Sequence, residues 1–272
     1  AGLEAACTAA EVGCNTFLLE KSNELGGLAS LISKIPAKNR LADFPHYLMH
    51  RAEQLDNLYI FKNTEGTPEN IRKFHPNIIV SSTGSAPLLP PIAGLKDRID
   101  NEKHNIYSIL GMISHINDFP KDLEGKKVVV VGGGAVGLDV VEFFADRNAD
   151  ISIVEMMDQI GRDLDPVSKN DTKTMMKKHN VHQLTKTALL EVKDSSFLVR
   201  GDGEPYELPF EYGFVCLGMR AQGQLYQNLT EEFSSEDVEI MNIGDSQRAR
   251  RIIDGTQEGR NILTILEQKG YL

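Results

Sequence analysis

The clearest pattern along the chain is a strand, a glycine turn, a helix and a second strand, all within residues 126–155. The valines Val128–Val131 form an uninterrupted apolar run, which predicts a strand buried on both faces of a parallel sheet. Apolar residues in Leu138–Arg147 recur at helical spacing, and Ile151–Val154 predicts the next strand. The segment therefore predicts a β-α-β unit.

Glycines occupy the turn of this unit at the spacing G-x-G-x-x-G, at Gly132, Gly134 and Gly137. The first permits a tight turn, the second lets a pyrophosphate approach the backbone, and the third lets the helix pack closely on the strand. Glu155 follows the second strand, where a carboxylate accepts hydrogen bonds from ribose hydroxyls. The combination predicts a dinucleotide-binding unit; the alternative is a coincidental set of structural glycines.

The N-terminal segment repeats this unit at a distance of 135 residues. Gly2 aligns with Gly137, and Glu20 aligns with Glu155. The residues between Gly2 and Glu20 predict a helix and then a strand, Thr16–Leu19. We therefore predict two dinucleotide-binding units, the first without its opening strand and its first two glycines. Chance agreement of two short motifs is the alternative.

Further segments fit the same plan. Asn77–Ser81 and Phe214–Gly218 predict buried strands that lead to a glycine, and Glu239–Ile243 predicts a strand that runs into Gly-Asp. We also predict one strand over Gln183–Val192 and a helix over Ile106–Ile116.

Composition narrows the function. The 272 residues include 29 Lys and Arg against 39 Asp and Glu, a net charge of −10, which argues against nucleic acid and anionic membranes as partners. Three cysteines without a CxxC motif suit the cytoplasm and indicate neither a disulfide framework nor a metal site. We expect Cys7 and Cys14 to share one face of the first helix as small buried residues. The chain opens inside a helix without an initiator methionine, so we expect a fragment of a longer protein.

The C-terminal run from Ile243 to Gly259, which reads IGDSQRARRIIDGTQEG, resembles the FAD motif of the NADH:flavin oxidoreductase and 2-enoate reductase family. This group includes 2,4-dienoyl-CoA reductase and trimethylamine dehydrogenase. The segments Ala1–Ala6, Leu25–Gly27 and Thr83–Ser85 resemble the FAD half of the same family. The resemblance covers essentially the whole chain.

The resemblance implies an α/β fold of two Rossmann-like domains, with the NAD(H) domain inserted in the FAD domain, as in pyridine nucleotide-disulfide oxidoreductases. The implied FAD domain is discontinuous, over residues 1–95 and 223–272. Residues 96–125 form a connection, and residues 126–222 form the NAD(H) domain.

The resemblance also implies the residues that line each cofactor. Those implied to line FAD are Gly2, Glu20, Lys21, Gly26, Gly27, Thr83, Gly84, Gly244, Asp245 and Ile253. Those implied to line NAD(H) are Gly132, Gly134, Ala135, Val136, Gly137, Glu155 and Gly218. No basic residue directly follows Glu155, which favours NADH over NADPH, although Arg162 lies within reach in sequence. We assign no catalytic side chain, because the cofactors supply the chemistry. We also expect no metal ligand, on the interpretation that the seven histidines form no HxxxH or HxH cluster.

In this family the region follows an FMN-binding barrel and a cysteine motif that holds a 4Fe-4S cluster. The resemblance therefore implies that NADH reduces FAD and that electrons pass to this upstream portion of the same polypeptide, which reduces an activated C=C bond. Two alternatives remain. One is a structural module that holds an ADP-type nucleotide without electron transfer, and the other is a free-standing NADH:acceptor reductase.

Overall fold

The computed structural model describes residues 1–271, which divide into two compact units. Unit 1 comprises Ala1–Ser33, Lys38–Ala86 and the chain from Met219 onwards. Unit 2 comprises Lys34–Ala37 and Pro87–Gly218, so its main part is inserted between two parts of unit 1. Residues 96–125, predicted as a connection, are thus part of unit 2 in the structure.

The elements in chain order are as follows. Up to residue 87 they are α1 (Gly2–Glu11), β1 (Thr16–Leu19), α2 (Gly27–Ile32), α3 (Asp43–Glu53), β2 (Leu58–Phe61), α4 (Pro68–Arg72), β3 (Ile78–Ser81) and β4 (Ser85–Pro87). Unit 2 continues with α5 (Leu95–Arg98), β5 (Ile106–Tyr107), α6 (Ile109–Ser114), β6 (Lys127–Val131), α7 (Ala135–Ala145), β7 (Asp150–Val154), α8 (Pro166–Lys178), β8 (His182–Leu184), β9 (Ala188–Val192), β10 (Ser196–Arg200), β11 (Tyr206–Pro209) and β12 (Tyr212–Val215). Unit 1 resumes with β13 (Met219–Ala221), α9 (Gln224–Glu232), β14 (Glu239–Asn242), α10 (Ile252–Arg260) and α11 (Ile262–Gln268), and short 3-10 helices cover Pro36–Ala42 and Gly244–Ser246.

Unit 2 is built on a five-stranded parallel sheet in the order β5-β12-β6-β7-β8. Its central strand β6 pairs on both sides, and Val128 and Val130 are completely buried. Val129 and Val131 pack in one core cluster with Phe197, from the three-stranded antiparallel sheet β11-β10-β9. Burial on both faces explains why this strand is an unbroken valine run. The α/β fold predicted from the sequence is confirmed.

Unit 1 has no counterpart of this central strand among the described residues. Its parallel strands form two separate pairs, β1 with β2 and β3 with β14. The apolar core is divided in the same way, and α1 contributes to both parts. Ala5 and Ala9 pack in one cluster, whereas Ala6 and Ala10 pack in the other. In unit 2, β12 corresponds to β3 and β7 corresponds to β1. Both of these strands of unit 2 pair with the central strand β6.

The predicted repeat of 135 residues extends to the backbone conformation. Gly13 and Asn148 both follow the helix of their unit with positive φ, 96° and 61°. Gly26 and Gly161, also 135 residues apart, have φ of 97° and 65°. Such conformations are rare outside glycine and asparagine, so their agreement at matched positions supports a true structural repeat.

Two predicted elements differ from the structure. The strand expected over Gln183–Val192 is two strands, β8 and β9, because Lys186 between them adopts a φ of 51° and donates its backbone N–H to the Met157 carbonyl. The helix expected over Ile106–Ile116 begins later, at Ile109. Residues Ile106 and Tyr107 instead pair with β12.

The start of α6 is fixed by a side-chain cap. The Ser108 hydroxyl accepts a hydrogen bond from the Gly111 backbone N–H at 3.1 Å, which satisfies a free donor of the first turn. Asp100 in turn accepts the Ser108 backbone N–H at 2.8 Å and the Ser108 hydroxyl at 2.7 Å. Ser108 therefore separates the edge strand β5 from α6. The spacing of apolar residues had predicted that Ser108 lies inside the helix.

None of the helices among residues 1–271 is long and apolar enough to cross a membrane. The prediction that Cys14 lies on the first helix is wrong, because α1 ends at Glu11 and Gly13 turns the chain away. Cys7 is completely buried in α1, and Cys14 lies partly buried beyond the helix end.

Candidate functional site

The glycine turn of unit 2 is shaped by two close backbone approaches. A Cβ on Gly132, which has a φ of 109°, would lie 2.1 Å from the Cys216 carbonyl oxygen. A Cβ on Gly137 would lie 1.9 Å from the Gly132 carbonyl oxygen. Only glycine fits at these two positions. At Gly134, by contrast, a Cβ would meet nothing within 4 Å, so this glycine faces open space.

The start of α7 beside this turn has no side-chain cap. Gly134 is the residue before the helix, and Gly134 and Ala135 are exposed while Val136 is half-buried. The first backbone N–H groups of a helix lack partners within the helix and attract anions. This end of α7 can therefore receive a phosphate. Gly218, three residues beyond β12, has a φ of 104°.

Glu155 is held next to the turn by backbone donors. Its Oε2 accepts the Gly133 N–H at 2.6 Å, and its Oε1 accepts the Met157 N–H at 2.7 Å. Gly133 also accepts, through its carbonyl oxygen, the N–H of Gly161 at 2.7 Å. The carboxylate is therefore fixed in position and keeps further lone pairs for hydroxyl donors such as those of a ribose.

Glu20 in unit 1 is held in the same way as Glu155. Its Oε1 accepts the N–H of Ser22 at 2.8 Å, and residues 20 and 22 match 155 and 157 at the same spacing. The Glu20 backbone N–H donates to Phe61 and its carbonyl accepts from Thr64, both at 2.9 Å. Glu155 makes the equivalent bonds to Leu184 and Thr187, also at 2.9 Å.

The glycines predicted near Glu20 differ in their surroundings. A Cβ on Gly2, the first residue of α1, would lie 2.1 Å from the Ser82 hydroxyl. A Cβ on Gly26 would lie 2.0 Å from the Ser30 hydroxyl, whereas Gly27 at the start of α2 faces open space. Lys21 is exposed directly after the acid. These residues lie around the start of α1 and the turn beyond β1.

Thr83 and Gly84 follow β3 and contact the returning chain. The Thr83 hydroxyl donates to the Gln222 carbonyl, and the Gly84 carbonyl accepts the Gln222 N–H at 2.9 Å. The hydroxyl of Thr83 is thus already used within unit 1. Gly84, with a φ of 74°, leaves open space at its Cα.

Asp245 lies in the short 3-10 turn after β14. Its Oδ2 accepts the Ser85 hydroxyl at 3.0 Å, and its Oδ1 accepts the Arg250 backbone N–H at 3.1 Å. Ile253, also predicted to line a cofactor, is 55 % exposed in the first turn of α10. Ser85 was not predicted as a partner of Asp245, although it belongs to the run Thr83–Ser85 that resembles the FAD half of the family.

The cysteines are poor candidates for redox or nucleophilic chemistry. Burial raises the pKa of Cys7 to about 11 and that of Cys216 to about 12, so neither forms a thiolate readily near neutral pH. The prediction that the histidines form no HxxxH cluster is wrong, because His46 and His50 have that spacing and lie one turn apart in α3, where both are exposed. Among residues 1–271 no group of three or more His, Cys, Asp or Glu side chains is placed to hold a metal ion.

Unit 2 thus provides the elements that a nicotinamide dinucleotide requires: a tight glycine turn, an open helix start and a fixed acid after the second strand. Unit 1 provides the acid Glu20, the uncapped start of α1 and the Asp245 turn. Its described residues include no counterparts of Gly132 and Gly134. The residues present therefore fit NAD(H) in unit 2, and fit the ribose and ribityl parts of FAD in unit 1.

The chain belongs to the pyridine nucleotide-disulphide oxidoreductase family, whose model matches residues 46–241. The pyridine nucleotide-disulfide oxidoreductase type of fold implied by the sequence is confirmed, together with the cofactors of that family, FAD and NAD(H). The chain thus belongs to a family of flavin-dependent pyridine nucleotide oxidoreductases.

Relatives are similar over nearly the whole chain. It is 26 % identical to an NADH oxidase of Thermoanaerobacter brockii, over 95 % of this chain and 38 % of the relative. It is 27 % identical to a metal reductase of Desulforamulus reducens, over 96 % of this chain and 42 % of the relative. Its fold is similar to that of a 2-naphthoyl-CoA reductase in complex with 2-naphthoyl-CoA, with a TM-score of 0.81 at 23 % identity, over 96 % of this chain and 37 % of that one. The chain spans about two fifths of the length of these relatives.

Proposed function

We propose that this chain is the electron-input module of an NADH-dependent reductase, with NADH bound by unit 2 and FAD by unit 1. The observation that carries the proposal is the matched pair of acids, Glu20 and Glu155, each fixed by the N–H two residues further on. Two such acids in one chain provide two adenosine-ribose sites. When bound, FAD supplies the chemistry by accepting hydride, which is two electrons and one proton, from NADH.

The residues of this chain bind and orient the two cofactors. In unit 2 the start of α7, with Gly134, Ala135 and Val136, binds the pyrophosphate of NADH, and Glu155 binds its ribose. Gly132 and Gly137 shape the turn, and Gly218 lines the cleft at the carboxyl ends of the strands. In unit 1 Glu20 binds the adenosine ribose and Asp245 a ribityl hydroxyl. The other residues proposed to line FAD are Gly2, Lys21, Gly26, Gly27, Thr83, Gly84, Gly244 and Ile253.

The fixed position of Glu155 supports a preference for NADH over NADPH. A 2′-phosphate on the ribose would place negative charge beside this carboxylate, which cannot swing away without losing the bonds to Gly133 and Met157. Arg162 is exposed on the following loop.

The acceptor of the electrons lies in the polypeptide ahead of this region, according to the family resemblance. We propose that electrons pass there through a 4Fe-4S cluster to FMN in a barrel that reduces an activated C=C bond. This chain spans about two fifths of the length of its relatives, which supports a further part of the polypeptide beyond this region. The reductase names of relatives support the reaction class.

One alternative is supported by a specific observation. Among the described residues, unit 1 pairs its parallel strands in two separate halves. A module that holds an adenine nucleotide and passes no electrons would need fewer contacts in unit 1 than a module that binds the whole of FAD.

An anaerobic titration separates the two functions. The longer protein is purified, its visible spectrum recorded, and NADH added without oxygen. Bleaching of a bound flavin is the expected result. Bound ADP without flavin, or flavin that NADH leaves oxidised, would overturn the proposal. For the chain alone we expect NADH binding by unit 2.

A further inference from the structure

The loop from Gly244 to Arg250 in unit 1 is closed by hydrogen bonds at both ends. Asp245, near its start, is oriented from two sides by the Ser85 hydroxyl at 3.0 Å and the Arg250 backbone N–H at 3.1 Å. Arg250 also donates from its Nε to the Arg248 carbonyl at 3.2 Å. The direction of the Asp245 carboxylate therefore depends on where the Arg250 backbone lies.

Glu258 on α10 connects the two ends of this loop. Its Oε2 accepts the Gly244 backbone N–H at 2.6 Å, and its Oε1 forms an ion pair with the Arg250 guanidinium. The side chains of Arg250 and Glu258 are 29 % and 26 % exposed, so the pair is largely shielded from solvent. One carboxylate thus holds the residue before Asp245 and the residue whose N–H orients Asp245.

Small residues bring α10 close enough for this contact. A Cβ on Gly259 would lie 2.6 Å from the Ala1 carbonyl oxygen, and a Cβ on Gly255 would lie 3.5 Å from the Cα of Gly244. The missing side chain of Gly259 lets the helix pack against the start of α1, whereas a Cβ at Gly255 would make only an ordinary contact with the loop. Glu258, between them along the chain, then reaches the Gly244 N–H directly.

We propose that Glu258 is a positioning residue that orients the flavin-binding carboxylate of Asp245 through Gly244 and Arg250. The inference rests on the proposed function, in which Asp245 binds a ribityl hydroxyl. Glu258 itself touches no cofactor. Its loss frees both ends of the loop, and Asp245 then spends less time in the direction that accepts the hydroxyl.

The test compares Glu258→Ala and Glu258→Gln with a matched control, Glu267→Gln, at an exposed position on α11. Hydrogen exchange at the Gly244 and Arg250 amides and the FAD dissociation constant are measured, with NADH affinity as an internal control. We expect Glu258→Ala to speed exchange at both amides and to weaken FAD binding, each by about tenfold or more. Glu258→Gln keeps an acceptor for Gly244 but loses the ion pair, and gives an intermediate loss.

A double-mutant cycle with Asp245→Ala separates positioning from general stability. If Glu258 acts through Asp245, Glu258→Ala causes no further loss of FAD affinity once Asp245 is removed. Equal losses in both backgrounds, or unchanged FAD affinity in folded Glu258→Ala, would overturn the inference. These measurements use the longer protein. If it binds no FAD, the flavin part of the proposed function fails, and unchanged amide exchange at Arg250 in Glu258→Ala separately overturns the positioning role.

Discussion

Glu20 and Glu155 occupy the same local structure in two halves of one chain. Each carboxylate accepts the backbone N–H two residues on, at 2.8 Å from Ser22 and 2.7 Å from Met157. They differ in one bond, since Glu155 also accepts the N–H of Gly133 at 2.6 Å.

The matched acids allow a controlled test of the NADH site. Glu155→Ala removes the acceptor for ribose hydroxyls, and we expect NADH affinity to fall by about tenfold, the equivalent of one or two hydrogen bonds. Discrimination against NADPH should weaken in the same variant. Titration calorimetry measures both affinities. Glu20→Ala is the control, and an equal loss of NADH affinity in that variant would contradict the assignment of NADH to unit 2.

Two glycines of the turn in unit 2 are expected to have different roles, Gly137 in folding and Gly134 in cofactor binding. Gly137→Ala places a Cβ 1.9 Å from the Gly132 carbonyl oxygen, which forces α7 away from β6, and we expect a loss of about 3 kcal/mol or more in the free energy of unfolding. Gly134→Ala adds a methyl group in open space and leaves stability nearly unchanged. Urea unfolding measures both effects.

The same Gly134→Ala variant should lose NADH affinity, by about tenfold, because the methyl group occupies the space that the pyrophosphate approaches. Affinity equal to that of the unmodified chain would show that the phosphate does not approach Gly134. A large fall in stability would instead show that the open space at this glycine is needed by the fold.

The separated strand pairs of unit 1 predict the effect of an added strand. A copy of residues 126–135 joined ahead of Ala1 repeats the spacing between β6 and α7, and we expect it to pair with β1 and β3. Because alternate residues of parallel strands point to opposite sides, the amides that become protected are those that point away from β2 and β14. These amides belong to Phe17, Leu19, Ile78 and Val80.

Hydrogen exchange at these four amides should slow by about tenfold or more, and the melting temperature should rise. A control extension with proline at the second and fourth valines cannot complete the ladder. Equal exchange in the two extended chains would contradict this explanation of the divided sheet.

The ion pair between Glu11 and Arg51 predicts a pH dependence of stability. The hydrogen bond from Arg51 lowers the pKa of Glu11 in the folded chain. A lowered pKa stabilises the fold above the unfolded-state value of about 4.3, and this contribution is lost as the pH falls through the folded-state pKa. Glu11→Gln should therefore reduce the free energy of unfolding at pH 7, by about 1 kcal/mol or less because the pair is partly exposed.

Urea unfolding of this variant at several pH values is the measurement. The difference from the unmodified chain should shrink as the pH falls from the unfolded-state value of about 4.3 through the lowered folded-state pKa of Glu11. Glu102→Gln, at an exposed position, is the control. A difference that stays constant down to pH 3 would show that the charge of Glu11 is not its source.

Local patterns predicted the elements that are buried and regular. Thr16–Leu19 is a strand with the predicted bounds, because apolar residues precede an acid at a fixed distance from a glycine turn. Strand β2, over Leu58–Phe61, was not predicted. It is four residues long with two exposed aromatic positions, and its identity depends on pairing with a strand about forty residues earlier.

The remaining differences also come from distant contacts. Nothing about a lysine indicates the φ of 51° at Lys186, which is imposed by the bond from its N–H to Met157. Asn63 in unit 1 has the same conformation, at 52°, and donates to Ser22. Ser85 reaches Asp245 across 160 residues of sequence, so only the folded chain brings the two together.

The burial and separation of the cysteine thiols limit the number of reducing equivalents that the chain can take up. The three cysteines are all unpaired, and Cys7 and Cys216 are enclosed by the core. The chain therefore offers no dithiol in which a second pair of reducing equivalents could be stored. A reductive titration of the flavin-loaded chain should end at one NADH per flavin, with no further uptake that a disulfide would allow.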